Sequence, residues 1–240
     1  QESNRLHHQI QHTRWEILQT LKRQGSGTVD ALCQGLCLAP MTVRQHLAIL
    51  ERDGLVQSTE SRHGPGRPSH VFSLAPSAED LFPKGYDRLA ERLLREFARL
   101  DNDDYAGLLP QQRLEFIFQR IAERQASEME TELRGADLGG RVARVSQMLR
   151  DREGTMSEWS QTDTGFEIDD YNCPFRNVAL QEPALCGWHV QLLTYTLQAT
   201  VRMQGCIAEG DTCCKFRVER DSAAAPSATS VAELAPGSPS

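Results

Sequence analysis

From residue 6 to residue 24 the apolar side chains Ile10, Trp15, Ile17, Leu18 and Leu21 recur at mostly helical spacing, and a Gly-Ser-Gly break follows. Thr28 or Asp30 can then cap a short helix whose Val29, Leu32 and Leu36 face inward. A third helix follows Pro40. Its Val43, Leu47 and Leu50 fall at i, i+4 and i+7, which turns Thr42, Arg44, Gln45, His46 and Ala48 outward, and Gly54 supplies the stop. The period then drops to that of strands over Leu55–Thr59 and His70–Leu74, on either side of the basic, Gly/Pro-rich stretch SRHGPGRPS. Three helices and a two-stranded wing predict a winged helix-turn-helix over residues 1–78.

Past a junction at Ser73–Ala78 the pattern returns to helices. Residues 81–100 carry the stripe Leu89, Leu93, Phe97 and Leu100, and Pro110–Leu133 carries Leu114, Ile117, Phe118 and Ile121. Helices this long beside a small DNA-binding unit predict pairing between two subunits, since a two-fold dimer matches two half-sites one DNA turn apart; the competing expectation is a hairpin within one chain. A further helix spans 138–152, a hairpin 155–171, a helix 177–198, and a last pair of strands 200–207 and 212–219, joined near Glu209–Gly210. The expected fold class is α+β, with a helical linker or dimerisation segment over 79–136 and a sensor domain over 137–220. The tail 221–240, rich in Ala, Ser and Pro, is expected to be disordered.

With 240 residues, 39% of them hydrophobic, the chain can bury a core and make two domains. No apolar run approaches the roughly 18 residues that span a bilayer, and the first thirty residues lack the pattern of a secretory signal, so no membrane partner and a cytoplasmic location are expected. The net charge of −7 is unevenly placed. Residues 1–75 hold 8 Lys+Arg against 6 Asp+Glu, a balance of +2, and six of the seven histidines; the remainder holds 18 against 27, or −9. A near-neutral to basic head on an acidic body suits a protein that reads a specific duplex without gripping all DNA.

On the third helix Arg44 and Gln45 can make bidentate contacts to guanine or adenine edges in the major groove, with Thr42 and His46 on the same face. Arg62, His63 and Arg67 at the wing would meet phosphates or the minor groove. Outward Arg and Gln also occur on any solvated helix, and a winged helix can serve only protein contacts; helix, turn, recognition helix and wing in one order favour a double-stranded operator.

Seven cysteines stand at 33, 37, 173, 186, 206, 213 and 214. An odd count in a chain this size points to metal or redox chemistry rather than structural bridges. Cys33 and Cys37 read most simply as small core hydrophobes. Cys173, Cys186 and Cys214 are far apart in sequence yet lie at a strand end, a helix start and a hairpin, so three elements would converge. Zinc sites usually draw ligands from close pairs such as CxxC, and no such pair occurs; the wide spacing suits an iron–sulfur cluster better than one ion, with zinc the lesser option and unliganded core thiols the plain alternative. No phosphate-binding glycine loop, nucleophile elbow or HExxH is found, so no enzyme is expected.

The run TVRQHLAILERDGLV, the wing GPGRPSHVFSL, the following LFPKGYDRLAERLL, and the later CPFRNVALQEPALC and GDTCCKF resemble SufR-type iron–sulfur regulators, relatives of the ArsR/DeoR winged-helix repressors, over residues 10–220. That resemblance implies a homodimeric repressor and redox sensor with a [4Fe-4S] cluster, or alternatively [2Fe-2S], and Cys173, Cys186 and Cys214 as ligands. It also implies iron–sulfur assembly genes as targets, repressed while clusters are plentiful. Where cyanobacterial members show a further cysteine, about thirteen residues after the second, this chain has Thr200. The fourth ligand therefore stays open among Cys206, Cys213, His189 and a non-cysteine oxygen or external thiol. A three-residue loop at Glu209–Asp211 would set Cys206 opposite Cys214, and a two-residue turn at Glu209–Gly210 would set it opposite Cys213.

Overall fold

The computed structural model describes residues 12–61, 69–101 and 103–220. The wing residues Arg62, His63 and Arg67, the start of the first helix and the tail lie outside them. Two apolar cores organise the rest.

The first core is built by α1 (His12–Gln24), α2 (Val29–Leu36) and α3 (Pro40–Arg52). Thr28 caps α2 by accepting from the Ala31 N–H at 3.2 Å, and Pro40 sits in the first turn of α3, where its missing N–H costs nothing. Val43, Leu47 and Leu50 are no more than 1% exposed, as their spacing requires. Gly54, at φ +71°, turns the chain out of α3 in the left-handed region. Strands β2 (Val56–Ser61) and β3 (Ser69–Leu74) pair antiparallel from Val56↔Leu74 to Ser61↔Ser69. A third strand, β1 (Ser26–Thr28), joins the far side of β3; at three residues it is too short to show a period. A 3₁₀ turn over Pro76–Leu81 closes this core. Buried Lys22 reaches back to Glu79 at 2.6 Å, and Phe82 lies 5.3 Å from Trp15.

The second core begins after Pro83, Lys84 and Gly85. The first linker helix, α4, runs Tyr86–Phe97 rather than 81–100, because a proline and a glycine interrupt the pattern. Helix α5 spans Pro110–Leu133. Its stripe is covered by α8 (Ala184–Leu197) of the same chain, where Phe118 stacks on Trp188 at 6.4 Å, so the intrachain packing is the one observed for α5. Helix α6 (Leu138–Met148) ends in a π turn, Leu149–Glu153, stopped by Gly154 at φ +76°. The helix expected over 177–198 is two pieces, α7 (Arg176–Ala179) and α8. Pro183 explains the break, since its predecessor is pushed out of the helical region.

Strands β4 (Ser157–Thr162), β5 (Gly165–Asp170), β6 (Thr200–Gly205) and β7 (Cys214–Glu219) form an antiparallel sheet in the order β4-β5-β7-β6. Cys214, Phe216 and Val218 alternate inward along β7; Phe166, Ile168 and Asp170 do so along β5. That alternation delivers a cysteine and a carboxylate to the buried face. No helix among the described residues is long and apolar enough to cross a membrane.

Candidate DNA-binding face and thiol-lined cavity

Cys173 lies in the turn after β5, Cys186 in the first turn of α8, and Cys206 and Cys214 at the two ends of the β6–β7 connection. Cys173, Cys186 and Cys214 line a cavity of about 50 Å³ together with Phe175, Trp188, Met203 and Phe216. Cys206 Sγ stands 3.8 Å from Cys186 Sγ, and the Ile207 N–H donates to Cys214 Sγ at 3.4 Å.

A bulge between Met203 and Gly205 sets Gly205 opposite Lys215. The next step brings Cys206 level with Cys214 rather than Cys213, the register of the longer-loop expectation. The connection itself is neither simple turn: a 3₁₀ turn, Ile207–Glu209, follows Cys206, and the Asp211 carboxylate accepts from the Cys206 N–H at 2.8 Å. Cys213, one residue before Cys214, has its Sγ 3.9 Å from Asp169. His189 lines the cavity with Nε2 3.4 Å from Asp170 Oδ2 and its ring 4.8 Å from Phe216. Cys213 and His189 thus stand beside carboxylates, although His189 Nε2 and Asp170 Oδ2 make no hydrogen bond, whereas Cys206 stands beside Cys186.

Burial raises the Cys173, Cys186, Cys213 and Cys214 thiols above the usual range. Cys186 is pushed up to about 12 by burial and then by the neighbouring Cys206. Cys173 is raised by burial, partly offset by the Phe175 backbone and by Lys84; Cys214 is raised by burial against the opposing Ile207 N–H. Negative charge on Cys206 is felt by Cys173, Cys186 and Cys214. Without a cation Cys173, Cys186 and Cys214 are protonated, weakly nucleophilic thiols, and binding a cation there must release protons.

The donors that Cys173, Cys186, Cys206 and Cys214 offer are all sulfur, the kind that zinc and iron–sulfur clusters take. The 3.8 Å between Cys186 and Cys206 equals the edge of a thiolate tetrahedron around zinc at about 2.3 Å. Yet among the described residues no three Cys, His, Asp or Glu side chains are grouped to hold one metal ion. Polar atoms of the wall, Gln125 Oε1 and Trp188 Nε1, are buried with no hydrogen-bond partner.

In the first core, α3 presents Arg44, Gln45 and Ala48 to solvent. Thr42 and His46 are only half-buried rather than fully outward, and His46 Nδ1 is buried without a hydrogen-bond partner. Major-groove readers present such a helix, with exposed polar side chains beside a strand pair. Residues 11–58 match the family model described as bacterial regulatory protein, arsR family, which spans this helix-turn-helix. This segment is similar to the regulatory helix-turn-helix of the arsR family.

Beyond the ArsR-type segment the comparisons say little. The structure of Bacillus subtilis PadR in complex with operator DNA covers 77% of this chain and 96% of that chain, with a TM-score of 0.29 and 10% identity, too slight a likeness to bear on function. Among curated proteins there is no match. The match over 11–58 supports a transcriptional regulator with a DNA-binding helix-turn-helix; the thiol cavity lies outside the matched residues.

Sequence reasoning passed over the polar residues around the cavity. Asp170 is 2% exposed, accepts from Ser157 Oγ and pairs across the ladder with Cys214. Its position on the inward face of β5 was readable from the alternation with Phe166 and Ile168. Burial raises the Asp170 carboxyl, although His189 and Ser157 oppose this. A carboxyl whose folded value is raised holds its proton more tightly when folded. The associated stability is therefore complete below the unfolded value and is lost as pH rises through the folded one. Asp170→Asn should gain in melting temperature relative to the wild type as pH rises from about 4 to 8. A difference that stays flat across that range would show that Asp170 does not carry this cost.

Proposed function

We propose that this chain is a homodimeric repressor whose hold on operator DNA depends on an iron–sulfur cluster, [4Fe-4S] in preference to [2Fe-2S]. Cys173, Cys186, Cys206 and Cys214 would hold it. The observation that carries the reading is that Cys173, Cys186 and Cys214, from separate elements, line one cavity while Cys206 stands 3.8 Å from Cys186. When bound, the cluster supplies a centre whose occupancy follows iron supply and oxidants. The SufR-type resemblance points to iron–sulfur assembly genes as the regulated set, released under iron starvation or oxidative stress.

The chain's own residues supply the rest. The four cysteines give up protons on loading, Lys84 lowers the cost of negative charge at Cys173, and Phe175, Trp188 and Phe216 give the site an apolar lining. At the DNA end, Arg44 and Gln45 read base edges while the wing bears on the backbone. Dimerisation would use α4, where Leu94 and Phe97 are 69% and 70% exposed. Covering that face with a second copy removes apolar surface from water and duplicates the recognition helix for a two-fold operator.

Anaerobic purification followed by an absorbance spectrum and iron, sulfide and zinc assays on one sample tests the proposal. About four irons and four sulfides per chain, with brown colour, are expected. Stoichiometric zinc and no colour would replace the cluster with a structural metal, and no metal at all would leave the apolar cavity as a site for a small-molecule effector.

A further inference from the structure

We infer that Asn172 is the positioning residue through which the cysteine site acts on the DNA-binding domain, by clasping the three-residue hinge Pro83–Lys84–Gly85. The inference rests on the metal-dependent reading above. The hinge is the direct covalent path between the two cores: Phe82, fully buried, ends the first, and α4 begins at Tyr86. On either side of Cys173 the chain holds this hinge by its main chain. Asn172 Nδ2 donates to the Pro83 carbonyl at 3.0 Å and to the Gly154 carbonyl at 2.7 Å, and the Gly85 N–H donates to the Pro174 carbonyl at 3.1 Å.

Three further features make the clasp stiff. Asn172 is 1% exposed, so its bonds do not compete with water. Gly154 lies against Pro83 so closely that a Cβ there would stand 2.5 Å from the proline Cβ. The Arg88 guanidinium donates to the Glu153 carbonyl at 2.7 Å, and Arg92 binds the Glu153 carboxylate, which ties the start of α4 to the same π turn. By contrast, the Arg23–Glu158 bridge between the domains joins side chains that are 39% and 54% exposed and counts for little.

The consequence for regulation is mechanical. The cavity, at about 50 Å³, has room for roughly four water molecules, and an occupant held by Cys173, Cys186 and Cys214 would draw on the wall those residues form. Cys173 belongs to that wall, and it cannot shift without either carrying Pro83–Gly85 along or breaking buried hydrogen bonds. Movement of the hinge re-aims the first core, and with it α3, relative to α4 and any second copy bound there. The two states then differ in the spacing of their recognition helices, which is the differential DNA affinity that regulation requires.

Hydrogen–deuterium exchange on the full-length protein tests the clasp, before and after anaerobic loading with ferrous iron and sulfide. In the metal-free protein, Asn172→Ala should speed amide exchange over residues 83–89 by at least about tenfold; unchanged exchange there overturns the inference whatever the iron content. On loading, wild-type protein should gain protection at both 171–176 and 83–89. The variant should gain it at 171–176 but change less than about threefold at 83–89, and a wild-type response at 83–89 would overturn the inference. A wild-type protein that takes up no iron and sulfide defeats the cluster reading alone, and the metal-free comparison still decides the clasp. Should Asn172→Ala fail to fold, Gly154→Ala displaces the hinge from the sensor side and must show the same faster exchange at 83–89.

Discussion

Arg44→Ala is expected to erase most of the protein's sequence preference while leaving its fold intact. Arg44 is exposed on α3, between the buried Val43 and Leu47 that anchor the helix, so truncation removes a reader without touching the core. A bidentate arginine contact to guanine discriminates by about 1–3 kcal/mol, equivalent to roughly 5- to 150-fold in affinity. The measurement is competition between a duplex selected from a random pool and an unrelated duplex, at one fixed salt concentration because phosphate contacts make all affinities salt-dependent. Arg67→Ala at the wing should instead weaken both duplexes alike. If Arg44→Ala lowered affinity for both duplexes equally, α3 would not be the base-reading element.

The second large effect concerns the cysteines and separates Cys206 from its neighbour. Cys206→Ala, like Cys173→Ala, Cys186→Ala and Cys214→Ala, is expected to drop the iron content from about four to below one per chain. Cys213→Ala and His189→Ala should retain it. The grounds are geometric: Cys206 is 3.8 Å from Cys186, whereas Cys213 and His189 face Asp169 and Asp170. Loss of the centre should also change operator affinity by about 10- to 100-fold, the range that 1.4–2.7 kcal/mol of coupling supplies. Iron retained in Cys206→Ala and lost in Cys213→Ala would reverse the assignment.

Several of these features were open to reading from the residue order. Val43, Leu47 and Leu50 announced the buried face of α3, and the bounds of α5 at Pro110 and Leu133 followed from its apolar stripe. Inward alternation along β7 put Cys214 on the buried face without reference to any other element. The ArsR-type segment was likewise legible, since helix, turn, recognition helix and wing succeed one another within a single stretch of chain.

Other features depended on partners distant in sequence. Whether α5 pairs within its own chain or with a second copy could not follow from its stripe, because the same stripe fits α8 or another subunit. The fourth thiol was undecided because alternation along β6 and β7 fixes faces only once the register is known, and a bulge at Met203–Gly205 sets that register. The roles of Asp170 and Asn172 left almost no local signal. A single polar residue at a strand end becomes meaningful when burial removes water from it and the fold supplies its partners. Periodicity is a property of neighbours within a few residues, and it determined the elements and which residues of α3 face solvent. Convergence of residues 83, 154, 172, 186, 206 and 214 is a property of chain closure over more than a hundred residues, and only the tertiary packing decided the thiol site and its clasp on the hinge.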